Sequence, residues 1–390
     1  MTFSGRIVFV DHAAVLGGAE LSLLDIAEAH RDHAEVALFE DGPFRAALEQ
    51  RGVTVTILGD GSALRSIKKG SVVPGARALL GVLSTARRLR SLARGAAVLY
   101  TNSPKSMIVS AFATVGAATP VIWHLRDILG VEHFSRVNRS IAIMLANRRV
   151  FRVIANSQAT ADAFVAAGGD ANRVRVVHNG IDAVPFDALA PTARHDMRAS
   201  LGIPPDAFVA GSFSRLHPWK GQHVLLDALE RLPGVQALVV GGALFSGDDA
   251  YEATLRKRAE GPALSGRVHL LGARSDVPAL MAACDVIVHA SVLPEPFGRV
   301  LVEAMLARRP VIATDAGGVR EVVRRDVTGM LVPPGDSVAL ADAIARIRAE
   351  PALASSLVAA GASDARARFS RPAMLRGVAA VLDELSGAAR

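Results

Sequence analysis

The sequence predicts an α/β protein built from two doubly wound parallel sheets. Short apolar runs alternate with amphipathic segments along the chain, and this alternation favours parallel strands joined by helices. The pattern begins with an apolar strand at residues 6–10 (RIVFV) and restarts at residues 208–214 (FVAGSFS). With 390 residues the chain is long enough for two domains with full cores.

The predicted domains are separated by a change in composition. Residues 184–204 are rich in Pro, Ala and Asp and are interpreted as a linker. The first domain is therefore predicted over residues 1–183 and the second over residues 205–370. Residues 371–385 form an Ala- and Leu-rich helical pattern at the end of the chain.

Composition narrows the class of protein. The single cysteine, Cys284, excludes a disulfide framework and a cysteine-based zinc site, which fits a reducing compartment. The formal charge of +7 and the pI of about 10.2 suit an anionic partner such as nucleic acid, a membrane or a phosphorylated substrate. Aromatic residues are only 5% of the chain and do not alternate with the cations, so a base-stacking platform for nucleic acid is not expected.

The location expected from the sequence is the cytoplasm. The first residues lack the plan of a signal peptide, and the weakly polar run at residues 108–123 is too short and too interrupted to span a bilayer. A peripheral position at the inner face of the cell membrane stays open, because cations cluster in the first half and residues 62–75 mix cations with apolar side chains. The clustered cations are Arg65, Lys68, Lys69, Arg87, Arg88, Arg90, Arg94, Arg136, Arg139, Arg148, Arg149 and Arg152.

Several enzyme classes lack their motifs in this chain. No G-x-G-x-x-G follows a predicted strand, and there is no G-x-x-x-x-G-K-[ST], which disfavours dinucleotide oxidoreductases and P-loop enzymes. No Asp-x-Asp is present, which disfavours metal-dependent transferases that use that motif. The absence of G-x-S-x-G removes the support for a serine hydrolase.

Candidate ligand-binding residues follow predicted strands in the first domain. Gly17 and Gly18 lie at a strand-to-helix turn, which suits either a phosphate or a tight turn that needs positive φ. His124 and Arg126 stand near the end of the strand PVIWHL, where ligands of doubly wound sheets bind. A structural role for His124, and mutual pairing of Arg126 with Asp127, are the alternatives.

Two cations lie on one strand–loop–helix turn of the second domain. Arg215 follows the strand FVAGSFS, and Lys220 precedes the helix QHVLLDALERL. Together with the helix end they could clamp a diphosphate, or they could be solvated surface charges.

The stretch SVLPEPFGRVLVE, residues 291–303, carries two carboxylates across a predicted strand–loop–helix unit. Pro294 and Pro296 stiffen the loop, and Gly298 lets the backbone approach a ligand. A helix of eight residues would separate Glu295 from Glu303 by about 12 Å, too far for a glycosidase pair. We therefore expect Glu295 on the rim, facing a sugar, and Glu303 deeper, accepting hydrogen bonds from a ribose.

The motif Glu295-x7-Glu303 with Pro296-Phe297-Gly298 inside it resembles the signature of retaining GT-B glycosyltransferases of the family 4 type. The similarity extends to GSFSRLHPWKGQHVLLDAL, PVIATDAGGVREVV and TGMLVPPGD in the second half, and to Gly17-Gly18-Ala19-Glu20 and HNGID in the first. The resemblance implies two Rossmann-like domains facing across a cleft, with acceptor bound by the first and nucleotide sugar by the second. It also implies that the C-terminal helix, 371–390, packs back onto the first domain.

The resemblance carries specific roles onto this sequence. It implies catalytic roles for Glu295, His124, Arg215 and Lys220, with amides of Gly17 and Gly318 assisting at the phosphates. It implies no metal and no cofactor, because the nucleotide-diphosphate sugar is a co-substrate and fixed cations can stabilise the leaving group. The nucleotide-sugar contacts that it implies are Gly17, Gly18, Arg215, Lys220, Gly242, Arg274, Val277, Glu295, Phe297, Gly298, Val300 and Glu303.

The expected function is transfer of a hexose from a UDP- or GDP-linked sugar to an acceptor hydroxyl with retention of configuration. A lipid-linked or cell-surface glycan precursor is the expected acceptor class. The alternatives are a non-catalytic nucleotide-sugar-binding protein and a nucleotide-sugar epimerase on the same fold. The epimerase is disfavoured because no clear pair of carboxylates stands out in the first half of the sequence.

Overall fold

The computed structural model describes residues 3–59, 76–130, 134–243 and 248–388. The chain divides into two compact units. Unit 1 comprises residues 1–180 and 371–390, and unit 2 comprises residues 181–370. The predicted interfacial segment 62–75, with Arg65, Lys68 and Lys69, lies outside the described residues.

Each unit contains one parallel sheet. In unit 1 the strands are β1 (Ile7–Asp11), β2 (Ala34–Leu38), β3 (Thr54–Ile57), β4 (Val98–Thr101), β5 (Val121–Leu125), β6 (Val150–Ala155) and β7 (Val174–Val176). In unit 2 they are β8 (Phe208–Phe213), β9 (Val235–Val240), β10 (Val268–Gly272), β11 (Val286–His289), β12 (Val311–Thr314) and β13 (Met330–Val332). The strand orders are β3-β2-β1-β4-β5-β6-β7 and β10-β9-β8-β11-β12-β13.

Helices connect the strands in both units. The first eight are α1 (Gly18–Ala29), α2 (Pro43–Gln50), α3 (Ala76–Leu92), α4 (Pro104–Ala113), α5 (Arg136–Arg149), α6 (Gln158–Ala166), α7 (Val184–Asp187) and α8 (Ala193–Ser200). The others are α9 (Gln222–Glu230), α10 (Asp249–Ala259), α11 (Val277–Ala283), α12 (Arg299–Leu306), α13 (Val319–Val322), α14 (Ser337–Ala349), α15 (Pro351–Arg368) and α16 (Arg371–Ala388). Short 3-10 turns occur at Arg31–His33, Ala171–Arg173 and Pro218–Lys220.

Each sheet reverses its strand order once. In unit 1 the reversal lies between the paired strands β1 and β4, and in unit 2 between β8 and β11. At such a point the loops leaving the two strands run in opposite directions, which opens a crevice at their carboxyl ends. The reversal therefore marks where a ligand site is expected in each unit.

Both faces of the unit 1 sheet are covered by helices. One face packs against α1, α2 and α16, and the other packs against α3, α4, α5 and α6. The strands are apolar runs because both of their faces are buried. β1, for example, is fully buried from Ile7 to Asp11.

The last helix, α16, belongs to unit 1. Met374, Val378 and Leu382 join the apolar cluster that lies between α1 and the sheet. Arg371 adds an ion pair with Glu28 of α1. Glu384, near the other end, pairs with two arginines of the strands β6 and β7.

The segment predicted as a linker, 184–204, is folded in unit 2. It carries the helices α7 and α8, and α8 packs against α11. Arg198 is buried and bonds to Asp285 and to three backbone carbonyls. The Pro, Ala and Asp residues that suggested a linker lie in and around these two short helices.

The predicted pair of doubly wound parallel sheets is confirmed. Their strand orders and all-parallel pairing are those of Rossmann-like domains. Within the described ranges, no helix has both the length and the apolar character that crossing a membrane requires.

Candidate active site

In unit 2, Lys220 and Glu295 form an ion pair at the sheet reversal. The loop after β8 carries Lys220, and the loop after the neighbouring strand β11 carries Glu295. Lys220 Nζ donates to Glu295 Oε2 at 2.7 Å, and both side chains are largely buried. The sequence places these residues 75 positions apart, and the parallel pairing of β8 with β11 brings them together.

Two further groups bind the same oxygen of Glu295. His289 Nε2 lies 3.1 Å from Oε2, and Ser291 Oγ donates to it at 3.2 Å. Burial by itself raises the pKa of Glu295, but the charge of Lys220 and the hydrogen bond from His289 hold that pKa well below its usual range. Glu295 is therefore a carboxylate at neutral pH, and Lys220 lies beside a fixed negative charge.

Trp219 forms one wall beside the two cations of this turn. Lys220 Nζ lies 3.9 Å from the centre of the Trp219 ring, and the Arg215 guanidinium lies 5.9 Å from it. Both distances are within the range of cation–π attraction. Arg215 and Lys220 therefore both contact Trp219, and the indole ring restricts the position of the Lys220 ammonium group.

Glycines make the close approach of these loops possible. Gly221, which follows Lys220, has φ 69°, and a Cβ there would lie 1.9 Å from the carbonyl oxygen of Ala290. Trp219 also accepts a hydrogen bond from the amide of Val292 at 2.8 Å. The loops after β8 and β11 are thus joined by a backbone hydrogen bond on one side of Lys220 and approach each other closely on the other side.

The backbone of Glu295 is held by the glycine turn after β12. Gly318 N donates to Glu295 O at 2.8 Å, and a Cβ on Gly317, whose φ is 63°, would lie 2.4 Å from that same oxygen. The Gly318 amide, which is expected to assist at a phosphate, is engaged in this conformation by the Glu295 carbonyl. The glycine turn positions the carboxylate instead.

Both glutamate side chains are largely buried, and Glu295 is the less exposed of the two. The Glu295 side chain is 11% exposed, whereas that of Glu303 is 20% exposed. Glu303 lies in α12, and its nearest cation is Arg299, with Nε 3.7 Å from Oε1. Burial raises the pKa of Glu303, and Arg299 opposes that shift only in part. Glu295 lies deeper because Lys220, His289 and Ser291 draw it inward.

The other predicted nucleotide-sugar residues fall at several places in unit 2. Gly298 caps α12 with φ 86°, and Val300 lies in its first turn. Phe297 is buried and packs edge-on against Phe369, so its side chain is part of the core. Gly242 follows β9 and accepts from Leu216 N at 3.0 Å, which places it beside the Arg215 loop.

Arg274 and Val277 lie at the start of α11. Arg274 forms a two-bond ion pair with Asp276, and both side chains are more than a third exposed. Val277 is the first residue of α11. These residues follow β10 at the sheet edge, two strands away from β8.

In unit 1, a buried polar cluster occupies the corresponding sheet reversal. Asp11 ends β1 and accepts from Asn102 Nδ2 at 2.7 Å, and Arg126 Nε donates to Asn102 Oδ1 at 3.0 Å. Arg126 also bonds to Asn179 of the HNGID motif, which accepts from Ser22 as well. Four segments that are distant in sequence therefore meet in one network.

His12 is the exposed member of that cluster. Its Nδ1 lies 2.8 Å from Ser103 Oγ and 3.3 Å from Asp11 Oδ1, and its side chain is 34% exposed. Burial by itself raises the pKa of Asp11, but the hydrogen bonds from His12 and Asn102 lower it overall. The sequence reasoning missed Asp11, His12 and Ser103, although their positions at strand ends were a usable signal.

Gly17 and Glu20 form a closed turn before α1. Gly17 N donates to Glu20 Oε2 at 3.0 Å, so the amide predicted to assist at a phosphate is engaged by a carboxyl group in this conformation. Burial and the charge of Asp11 raise the pKa of Glu20 to about 8. Gly18 begins the helix itself.

His124 is fully buried in β5. Its Nδ1 bonds to the hydroxyl of Tyr100, and its Nε2 has no hydrogen-bond partner among the described residues. Burial and the charge of Arg126 hold the pKa of His124 well below its usual range. The imidazole is therefore neutral and faces the core in this conformation.

The described ranges contain no group of three or more His, Cys, Asp or Glu side chains that could hold a metal ion. Cys284 is buried, and burial raises the pKa of its thiol to about 12.

Comparisons with known proteins agree with this architecture. A model of the glycosyl transferase 4-like domain matches residues 17–180, and a model of glycosyl transferases group 1 matches residues 193–364. The D-inositol 3-phosphate glycosyltransferases of Mycobacterium tuberculosis and Mycobacterium bovis are 37% identical over 179 residues. That alignment covers 45% of this chain and 36% of those proteins, so the chain spans about a third of their length.

Solved structures match over nearly the whole chain. Anabaena HepE in complex with UDP-glucose is 39% identical with a TM-score of 0.88, covering 97% of this chain and 100% of that one. HepE in complex with UDP and glucose is 39% identical with a TM-score of 0.89, covering 97% and 99%. Sucrose-phosphate synthase from Thermosynechococcus elongatus shares the fold at 21% identity, with a TM-score of 0.82 over 98% and 100% of the two chains. The chain therefore belongs to the family 4 type of GT-B glycosyltransferases, with a glycosyl transferase 4-like domain and a glycosyl transferases group 1 domain.

Proposed function

We propose that this protein is a retaining glycosyltransferase that moves a hexose from a UDP-linked sugar to an acceptor hydroxyl. The observation that carries the proposal is the Lys220–Glu295 pair at the β8–β11 reversal of unit 2. The binding of UDP-glucose by HepE, at 39% identity over 97% of this chain, supports a UDP donor over a GDP donor.

Lys220 and Arg215 stabilise the leaving group in this proposal. The anomeric carbon loses its bond to the diphosphate and gains a bond to the acceptor oxygen, whose proton passes to the departing diphosphate or to solvent. Negative charge grows on the diphosphate, and cations already fixed in place stabilise it without reorganisation. Lys220 has three N–H donors, and one of them is used by Glu295.

Glu295 has two tasks in this proposal. Its Oε2 receives the hydrogen bonds described for the side chain, from Lys220, His289 and Ser291. Its Oε1 is left to accept from a hydroxyl of the donor sugar. One carboxylate thereby fixes the ammonium and orients the sugar, a link between the leaving-group cation and the reacting ring.

Glu303 is proposed to accept from the ribose hydroxyls of the nucleotide. It lies in the second turn of α12, and its side chain is more exposed than that of Glu295. Arg299 at 3.7 Å is close enough to favour the ionised form without a direct hydrogen bond.

Unit 1 is proposed to bind the acceptor. Its β1–β4 reversal presents the partly exposed His12, held by Asp11 and Ser103. The proposed acceptor class is a hydroxyl of a glycan or lipid-linked glycan precursor on the cytoplasmic side. The reaction is proposed to need neither a metal nor a cofactor, because cations of the chain can offset the leaving-group charge.

The test combines a donor panel with two lysine variants. We expect UDP release from UDP-glucose, unchanged by EDTA, and slower or no release from GDP- and ADP-sugars. Lys220→Ala should lower kcat roughly 10²–10³-fold, the usual loss for one fixed donor to a developing charge, and raise the UDP Kd far less. Lys257→Ala, an exposed lysine of α10, serves as the control and should leave both unchanged.

Equal activity in Lys220→Ala would remove the leaving-group assignment. Tight UDP-glucose binding without turnover would favour the nucleotide-sugar-binding alternative. Conversion of UDP-glucose to an epimer, seen by NMR in the absence of acceptor, would favour the epimerase.

A further inference from the structure

Three consecutive helices of unit 1 carry cations and no acids. The sequences of α3, α4 and α5 contain no Asp or Glu at any of their 17, 10 and 14 positions. Arg94 follows directly after α3 and adds to the charge. The cations within these helices are Arg77, Arg87, Arg88, Arg90, Lys105, Arg136, Arg139, Arg148 and Arg149.

These helices lie side by side on one face of the unit 1 sheet. α4 packs against both α3 and α5, and all three cover the same apolar cluster. We call the outer surface of α3, α4 and α5 the acid-free face. Acids occur in α6, the fourth helix on this face of the sheet, which carries Asp162. They also occur in the helices of the opposite face, α1, α2 and α16, which carry Glu20, Asp25, Glu28, Glu49, Asp383 and Glu384.

The arginines of the acid-free face differ from other arginines of unit 1 in their partners. Arg51, Arg152 and Arg371, for example, each form an ion pair with a glutamate. By contrast, the guanidinium groups of the acid-free face form no ion pair with any carboxylate in the described ranges. The arginines in question are Arg87, Arg88, Arg90, Arg94, Arg136, Arg139, Arg148 and Arg149.

Part of this charge has a structural task. Arg90 donates to the carbonyl of Val115, and Arg149 donates to the carbonyl of Thr114, so both satisfy the C-terminal end of α4. Arg88 donates to the carbonyl of Leu58. Within the described ranges, the side chains of Arg87, Arg94, Arg136, Arg139 and Arg148 form no such bond and no ion pair.

Apolar side chains are exposed among these cations. Leu80 of α3 is 65% exposed and Val115, just after α4, is 53% exposed. Phe112 of α4 and both Val137 and Met144 of α5 are also exposed. On α5, Val137 and Met144 lie on the same exposed stripe as Arg148, at spacings of seven and four residues.

We propose that the acid-free face docks on an anionic lipid surface. Cations in the headgroup layer with apolar side chains inserted beside them are the composition of an interfacial helix surface. Each cation near an anionic bilayer strengthens binding to that bilayer about fivefold. Nucleic acid would satisfy the charges but leave the aliphatic side chains in water, and the face has one aromatic side chain for stacking, Phe112. The proposal does not depend on the proposed transferase activity.

The test is sedimentation of the full chain with vesicles of two compositions. We expect binding at low salt to vesicles of phosphatidylcholine and phosphatidylglycerol in equal amounts, and no binding to phosphatidylcholine alone. The triple variant Arg87→Gln, Arg136→Gln, Arg148→Gln should weaken binding by roughly a hundredfold. The matched control Arg231→Gln, Arg348→Gln, Arg376→Gln removes three exposed arginines away from this face and should weaken it little.

A second variant separates the apolar contribution from the charge. Leu80→Ser with Val115→Ser leaves the charge unchanged and should weaken binding to the mixed vesicles at every salt concentration. Circular dichroism of each variant checks that the fold is kept. Absence of binding to the mixed vesicles, equal loss in the control triple, or equally tight binding to single-stranded RNA at the same salt would each overturn the proposal.

Discussion

At the scale of single residues, Glu295 is fixed through both its backbone and its carboxylate. Its carbonyl accepts from Gly318 N, and its Oε2 accepts from Lys220, His289 and Ser291. Gly317 makes the backbone contact possible. Glycine has no Cβ, and a Cβ at this position would collide with the Glu295 carbonyl. The position of the proposed catalytic pair is therefore set by a turn on a different strand.

Gly317→Ala should impair activity more than stability. The new Cβ would lie 2.4 Å from Glu295 O and displace the loop, so we expect kcat to fall at least tenfold. Gly335→Ala is the control, since its φ of 77° imposes a similar backbone cost of about 1–2 kcal/mol with no atom within 4 Å. Steady-state kinetics and thermal unfolding of both variants check this, and equal kcat losses in the two would contradict it.

Glu20 makes the stability of unit 1 depend on pH. Its pKa is raised from 4.5 to about 8 by burial and by Asp11, so the folded state holds a proton that the unfolded state loses. The folded state is therefore favoured below pH 4.5, and this contribution is lost as the pH rises towards 8. Asp11, whose pKa is lowered, acts in the opposite direction only at acid pH.

Glu20→Gln should raise the free energy of unfolding at alkaline pH. Glutamine keeps an oxygen for Gly17 N and removes the ionisable group. The gain in unfolding free energy over wild type should therefore grow by on the order of 1 kcal/mol per pH unit as the pH rises towards 8, and it should level off above pH 8. Urea unfolding at several pH values measures this. Glu49→Gln removes an exposed charge on α2 as the control. A pH-independent difference between Glu20→Gln and wild type would show that Glu20 is ionised when buried.

At the scale of elements, one carboxylate holds α8 on unit 2. Asp285 lies before β11 and accepts from Arg198, from Arg194 and from the amide of Val209 in β8. Arg198 also donates to the carbonyls of Ala283, Pro205 and Ala207. The segment that carries α8 is thus anchored to unit 2 by the buried guanidinium of Arg198, which makes four hydrogen bonds.

Arg198→Ala should destabilise unit 2 by about 3–5 kcal/mol, the usual cost of leaving a buried charge and its hydrogen-bonding partners unpaired. Arg194→Ala removes the other partner of the same carboxylate. Its side chain is 34% exposed against 3% for Arg198, so we expect a loss of about 1 kcal/mol. Denaturant unfolding compares the two, and a larger effect in Arg194→Ala would contradict this account of the anchor.

At the scale of the whole molecule, periodicity and alternation were sufficient to predict the fold. The predicted strands at 6–10 and 208–214 correspond to β1 (Ile7–Asp11) and β8 (Phe208–Phe213), and the helical pattern at 371–385 lies within α16 (Arg371–Ala388). Residues 184–204 were interpreted as a linker from their Pro, Ala and Asp content, and this composition does not distinguish a linker from the short helices α7 and α8.

The candidate site was predictable where a short motif carried it and not where the fold assembled it. Lys220 and Glu295 were identified separately, but their ion pair depends on the order of β8 and β11. The cluster of Asp11, Asn102, Arg126 and Asn179 spans more than 160 positions, and no local pattern brings its members together. The amides of Gly17 and Gly318 bond in this conformation to a carboxyl oxygen and a carbonyl oxygen of the chain, and their contact with a phosphate stays a prediction.

The return of α16 to unit 1 has a consequence for the order in which the chain folds during synthesis. Unit 2 is a continuous segment inserted between residue 180 and residue 371, so its residues leave the ribosome before unit 1 is complete. Until α16 emerges, the apolar side chains that Val378, Val381 and Leu382 cover have no partner. The half of the protein that begins first is therefore the half that finishes last, with one core open to solvent throughout translation of the other.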